Sequence, residues 1–234
     1  MITKISAAEL FRKDYGWHTG QFHFAFGDYE DPTNQNFGVL NALNDFVVQP
    51  NRGFETHPHA EMEIISYCVD GTLLHHESMG NINELQRGDS QYACTGSGIT
   101  HSEMNGCGDG TLRFLQIWIL PNKDRLQPLY RENRILSDKR YGSLRHIASG
   151  GEKEGVMQIA QDANIFAAEI SRNKNIVFQN KEERQSYVLC LEGELSVNNF
   201  KLRESDAVTL RGKETLNFMG CEDSHLLIVE MAEG

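Results

Sequence analysis

The sequence predicts an all-β protein organised as two related β units. Short apolar runs recur along its 234 residues, among them EIISYCV (Glu63 to Val69), TLRFLQIWIL (Thr111 to Leu120) and HLLIVEM (His225 to Met231). They are rich in β-branched and aromatic residues and bounded by Gly, Asn or Asp, which is how strands of a sandwich or barrel read. The 21 glycines are spread along the chain and punctuate these runs. The second half also echoes the first. ISYCVDGTL (Ile65 to Leu73) returns as YVLCLEGEL (Tyr187 to Leu195), and RGDSQYAC (Arg87 to Cys94) as ESDAVTLR (Glu204 to Arg211). A repeated β unit implies duplication.

Residues 1–120 read as an N-terminal domain. It opens with SAAELFRKD (Ser6 to Asp14), expected as a short helix. In QFHFAFGDY (Gln21 to Tyr29), Phe22, Phe24 and Phe26 share one face at a period of two, and Asp31-Pro32 starts a loop. His23 faces the other way, as a candidate ligand or, in the preferred reading, a solvated neighbour. From residue 51 to 120 the chain makes its first compact β unit, with turn signals at Asp70-Gly71, Met79-Gly80-Asn81 and Arg87-Gly88-Asp89. His75 and His76 are adjacent on a strand and therefore point to opposite faces, one packed and one wet. Pro121 marks a boundary. Residues 121–154 turn polar and loose and are expected to be a surface linker with a short helix. Residues 155–234 repeat the β grammar as a C-terminal domain. Setting Gly71 against Gly193 puts Gln179, Lys181 and Gln185 opposite His57, His59 and Glu63, and the His101 region near Phe218. The second unit has the scaffold without the site.

Composition excludes several function classes. With 33 acidic and 22 basic residues the net charge is −11, and no dense basic cluster offsets it, so direct nucleic-acid binding is not expected. No stretch approaches the roughly 20 apolar residues that span a bilayer. The N-terminal segment lacks the apolar run of a secretory signal, so a cytoplasmic location is expected. The five cysteines, Cys68, Cys94, Cys107, Cys190 and Cys221, are scattered and include no CxxC, which argues against a disulfide framework or a zinc–thiolate site.

The chemistry is concentrated between Gly53 and Asn105. GFETHPHAEME offers His57, His59 and Glu63, and TGSGITHSEMN offers His101 and Glu103. Side chains two apart on a strand face the same side, so His57 and His59 can converge on one point, and Glu63, four further on, shares their parity. Pro58 between them removes a backbone donor, which suits a strand end. His101 and Glu103 form a second such pair. Gly96 and Gly98 let the backbone turn tightly before it. Imidazoles with a carboxylate and open positions suit Fe(II), Mn, Ni, Co or Zn.

These two segments resemble the two motifs of the cupin superfamily: His57-x-His59-x-x-x-Glu63…Gly71, then Gly96-x-Gly98-x-x-His101-x-x-x-Asn105, with Gly96 where many cupins have proline. Within it the chain is most similar to the pirin family, through DYGWHTGQFHFAFGDYEDP, FGVLNALNDFVVQP, GFETHPHAEMEI, HHESMGNI, RGDSQY and GSGITHSEMN, which stand in pirin order. The resemblance is strong over residues 14 to 120 and weaker over the C-terminal repeat. It implies a bicupin, two antiparallel β-barrel domains of jelly-roll type. It also implies one divalent transition metal in the N-terminal domain, with Fe(II) the first candidate, held by His57, His59, His101 and Glu103. Glu63 then moves behind the ligands, orienting one of them or a bound water. The implied activity is that of a quercetin 2,3-dioxygenase, acting on a flavonol or a related small aromatic substrate and O2. Glu103 is the first candidate for the base and Glu63 the second. Phe54, Met62, Tyr92, Met104 and Phe24 are candidates to line the substrate slot. The alternative that the resemblance implies is a non-enzymatic, metal-containing regulator or transcriptional cofactor acting through a protein partner. A monomer is expected.

Overall fold

The computed structural model describes residues 2–135 and 140–233. The chain divides into two compact units. The first consists of Phe11–Arg134 with Ile159–Gln161, and the second of Met1–Leu10, Ile135–Gln158 and Asp162–Gly234.

β1 (Ile2–Ile5) belongs to the second unit. The first unit is built from β2 (Phe11–Asp14), β3 (His18–Phe22), β4 (Leu40–Val48), β5 (Gly53–His59), β6 (Glu63–Asp70) and β7 (Thr72–Glu77). It continues with β8 (Ile82–Gln86), β9 (Ser90–Cys94), β10 (Ile99–Asn105), β11 (Leu112–Ile119) and β12 (Leu129–Asn133). These form a seven-stranded sheet ordered β12-β9-β6-β11-β4-β3-β2 and a four-stranded sheet ordered β5-β10-β7-β8. The second unit adds β13 (Arg145–Ser149), β14 (Met157–Gln158), β15 (Ala163–Ile170), β16 (Asn175–Asn180) and β17 (Arg184–Glu192). β18 (Glu194–Val197), β19 (Phe200–Arg203), β20 (Ala207–Arg211), β21 (Glu214–Gly220) and β22 (Ser224–Ala232) complete it. Its sheets repeat the pattern, β1-β20-β17-β22-β15-β13-β14 and β16-β21-β18-β19. All strand pairs are antiparallel except β13 with β14, which agrees with an all-β pair of jelly rolls.

The duplication extends to individual hydrogen bonds. The Cys68 N–H donates to the Asp89 carbonyl, and the Cys190 N–H to that of Asp206, each at 3.0 Å. The Gln86 N–H donates to Asp89 Oδ2 and the Arg203 N–H to Asp206 Oδ2, each at 3.1 Å. Gly71 and Gly193 close the matching turns at φ 84° and 75°. A seven-strand edge differs between the two. β12 pairs with β9 in the first unit, whereas β1, from the start of the chain, pairs with β20 in the second.

Two expectations of helix give way to pairing. Ser6 and Glu9 do form a capping box, but it closes only a 3₁₀ turn, Ala7–Glu9. Phe11 to Asp14 then pair with β3, and Phe11 stacks on Tyr29 at 4.7 Å, so the sheet takes residues that a helix would have needed. Residues 121–154 carry β12 and β13, and their described residues contain no helix; residues 136–139 lie outside the description. Phe22 and Phe24 are both 3% exposed and Phe26 is half-buried, but the strand ends at Phe22, so the period-two face does not run on through the three. His23 is 2% exposed rather than solvated, because the strand ends at Phe22 and strict alternation stops there. His75 is fully buried and His76 exposed, as expected. No two of the five cysteines are joined in a disulfide, and no described helix is long and apolar enough to cross a membrane.

A Cβ on Gly193 would lie 2.2 Å from the Asp223 carbonyl, whereas Gly155, also at positive φ, has nothing within 4 Å. Gly155→Ala is expected to cost about 1–2 kcal/mol for its left-handed backbone alone. Gly193→Ala should cost measurably more in urea unfolding, and equal losses would show that the close approach is relieved without strain.

Candidate metal centre

β5 and β10 are antiparallel neighbours, with His101 opposite His57 and Ile99 opposite His59. This register brings three imidazoles to one face from two short segments. One nitrogen from each of His57, His59 and His101 lies within 4.8 Å of the others. The ring centroids are 4.5 Å apart for His57 and His101, and 4.7 Å apart for both other pairs. Nε2 of His57 and Nε2 of His101 face each other at 3.0 Å, and Nδ1 of His57 lies 2.7 Å from the Glu55 carbonyl. The His59 ring meets Trp118 edge-on at 4.9 Å.

The donor set fits a divalent transition metal. Burial, reinforced by the neighbouring imidazoles, lowers the pKa of His59 and of His101 to about 4. Both are therefore neutral near pH 7, the form that ligates. Nε2 of His59 is buried and has no hydrogen-bond partner among the described residues, an orphan that a bound cation would satisfy.

Glu103 lies on the same strand and is fully buried, but it is not one of the three clustered ligands. A β-bulge between His101 and Glu103 shifts the register so that Glu103 sits opposite Phe54. Its carboxylate accepts from Ser66 Oγ at 2.6 Å and from the Gln116 amide. Gln116 in turn accepts from Trp118 Nε1 at 3.1 Å. Gln91 donates to Ser66 at 3.4 Å and accepts from the Tyr130 hydroxyl at 3.0 Å. Gln116, Ser66 and Gln91 are cross-strand partners on β11, β6 and β9, so a polar row crosses the sheet facing Glu103.

Glu63 goes elsewhere. The parity that put it beside His57 and His59 fails because the chain turns at residues 60–62, with Glu61 at φ 54°, and enters the other sheet. The Glu63 carboxylate accepts from the Tyr92 hydroxyl at 2.5 Å and from the Ala160 and Gln161 N–H groups at 2.7 and 2.8 Å. Burial raises its pKa, although these three hydrogen bonds oppose the shift. His23 is likewise outside the cluster, and burial lowers its pKa to about 3.

One residue near the site went unassigned in the sequence. Nε2 of His75, on β7, lies 3.1 Å from Nδ1 of His101, and its ring stacks on Tyr130 with centroids 5.5 Å apart. Only the pairing of β7 with β10 reveals this contact.

Beside His57, a cavity of about 510 Å³ is lined by Trp17, Arg52, Phe54, Glu55 and Met104 among others. Of the five candidates for a substrate slot, Phe54 and Met104 line this cavity and Met62 does not. Phe24 and Tyr92 instead lie in the core, with Tyr92 turned onto Glu63.

The second unit shows what the same scaffold looks like without ligands. Val197 pairs with Phe218 as His75 pairs with Glu103, and Leu216 pairs with Phe178 as His101 pairs with His57. His57 therefore corresponds to Phe178 rather than Gln179, because four residues separate Asn180 from Gln185 where three separate their counterparts His59 and Glu63. All four counterparts belong to the apolar core of that unit.

Two jelly-roll units, one with a histidine cluster and the other filled with apolar side chains, define a bicupin with a single candidate metal centre among the described residues. Residues 5–119 match the family described as Pirin, and residues 146–231 match the quercetinase C-terminal cupin domain. The chain belongs to the pirin family. It is 32% identical to a pirin-like protein of Caulobacter vibrioides, over 99% of this chain and 100% of the relative. It is 30% identical to a protein of Escherichia coli K12 named quercetin 2,3-dioxygenase, over 99% of each. Among solved structures it is similar to the bacterial pirin YhhW from Escherichia coli in complex with nickel(II), with a TM-score of 0.92, 29% identity and 100% of both chains covered.

His23 gives a pH test of the folded state that is separate from the ligands. Between its folded value of about 3 and the unfolded value near 6.5, the unfolded chain binds a proton that the folded chain does not. Its contribution is complete above about pH 6.5 and is lost as pH falls towards 3, at about 1.4 kcal/mol per pH unit. Urea unfolding of His23→Gln should show a shallower loss of stability over that range than the wild type.

Proposed function

We propose that the chain is a metal-dependent dioxygenase that cleaves a flavonol or a related aromatic enol with O2. The observation that carries this reading is the convergence of His57, His59 and His101 beside an aromatic-lined cavity, with Glu103 held in a polar cradle on the same strand. The name of the Escherichia coli K12 relative and the nickel(II) complex of YhhW support it.

In this reading His57, His59, His101 and Glu103 hold one divalent ion. Fe(II) is the first candidate, and Mn, Ni, Co and Zn are compatible with the same donors. The ion supplies Lewis acidity, a template for the substrate and, if redox-active, a route for electrons. The substrate lies in the cavity against Trp17 and Phe54, which suit a planar ring. A carboxylate oxygen of Glu103 takes the substrate hydroxyl proton, leaving an electron-rich anion that O2 can attack. Ser66 and Gln116 fix the carboxylate in place and stay bonded to it while it waits for the proton. Glu63 is the weaker candidate for this role, since three donors already occupy its oxygens.

Chain loaded with Fe(II), Mn(II), Ni(II) or Co(II) is expected to consume flavonol under O2, followed by loss of flavonol absorbance. No turnover by protein shown to be loaded would sink the reading. Elemental analysis should give about one metal per chain. His57→Ala, His59→Ala and His101→Ala should each lower affinity at least about 100-fold, more than outer partners usually cost. Glu63→Gln should keep its metal.

A further inference from the structure

Four groups stand in a line of hydrogen bonds whose direction follows from its end. The Glu55 carbonyl can only accept, so Nδ1 of His57, 2.7 Å away, carries a proton. In the neutral ring Nε2 is then bare, and Nε2 of His101, 3.0 Å away, must donate to it. Nδ1 of His101 is therefore bare as well, and Nε2 of His75, 3.1 Å from it, must donate in turn. The line ends at Nδ1 of His75, which is buried and has no hydrogen-bond partner among the described residues, as suits a nitrogen without a proton. The direction holds for neutral rings, the ordinary form of an imidazole at about pH 8.

This order suits His57 to a metal and leaves His101 blocked. Nε2 of His57 presents a lone pair, held outward by the Glu55 carbonyl. Nε2 of His101 carries a proton. Resting on the metal-centre reading above, we propose that His75 is the positioning residue for His101 and that the two rings exchange tautomers together when a divalent cation binds. Nε2 of His101 gives its proton to water. Nδ1 of His101 takes the proton from Nε2 of His75, and Nδ1 of His75 takes one from water. One proton leaves and one enters, so neither ring changes charge and the pair releases no net proton. In the bound state the Nδ1–H of His101 donates to Nε2 of His75, which sets the ring angle. The second unit, without ligand histidines, has Val197 at the position of His75.

Long-range 1H–15N spectra at about pH 8, where ordinary imidazoles are neutral, report which ring nitrogen carries each proton. In metal-free protein both His75 and His101 should be protonated at Nε2, and in protein loaded with Zn(II) both at Nδ1. Signals are assigned by their loss in His75→Gln and His101→Gln. His75→Leu, which cannot accept from His101, should bind Zn(II) about 10–100-fold more weakly, as outer partners of ligands typically do when lost. His75→Gln, whose amide can accept or donate, should stay within about threefold of wild type. Circular dichroism checks the fold of each variant, and the tautomers and His75→Gln decide the matter if His75→Leu does not fold. Zinc-loaded protein with unchanged tautomers, or a folded His75→Leu that binds Zn(II) like the wild type, overturns the exchange alone. A wild-type chain that takes up no Zn(II) overturns the metal-centre reading with it.

Discussion

A jelly-roll interior excludes water, and each polar group placed there must find a partner or cost about 1–3 kcal/mol. Around Glu103 the first unit meets that constraint with a connected set rather than with isolated pairs. Glu103 is bonded by Ser66 and Gln116, Ser66 by Gln91, and Gln91 by Tyr130, whose ring stacks on His75. His75 reaches His101, two residues from Glu103 on β10. The site is thus held by a loop of contacts that crosses both sheets and returns to its own strand. Moving one member leaves its neighbours unsatisfied, so the candidate site is tied to the rest of the interior.

The second unit marks the alternative. Phe178, Leu216, Phe218 and Val197 occupy the positions of His57, His101, Glu103 and His75, and each apolar side chain buried this way contributes about 1.5–3 kcal/mol. The first unit forgoes that burial at its centre. It carries instead an aromatic cluster in which Phe22, Phe46 and Phe114 pack together with Phe11, Trp17 and Phe54. Trp17 and Phe54 belong to that cluster and also line the cavity beside His57, so packing and the candidate site share side chains.

What the sequence disclosed depended on how local the cause was. Strand parity brought His57 and His59 together, and the Gly96 and Gly98 turn marked His101, because both signals lie within a few residues. Parity failed for Glu63, since it does not survive the turn that carries the chain from one sheet to the other. The capping box at Ser6 was a true local signal, and tertiary pairing of Phe11 to Asp14 overrode its continuation. His75 and the polar row through Gln116, Ser66 and Gln91 depend on register between strands distant in sequence, which no local pattern encodes. The bulge at Glu103 belongs to the same category.

The interleaved use of the chain bears on how the protein is made. β1 is made before its partner β20, which follows roughly 200 residues later. At about 5–20 residues per second, the first strand waits on the order of 10–40 s as an unpaired edge. Three residues, Ile159–Gln161, must meanwhile be delivered back to the unit begun at Phe11. Lys4 lies within that waiting strand, and charge on an unpaired strand guards against premature association with other chains.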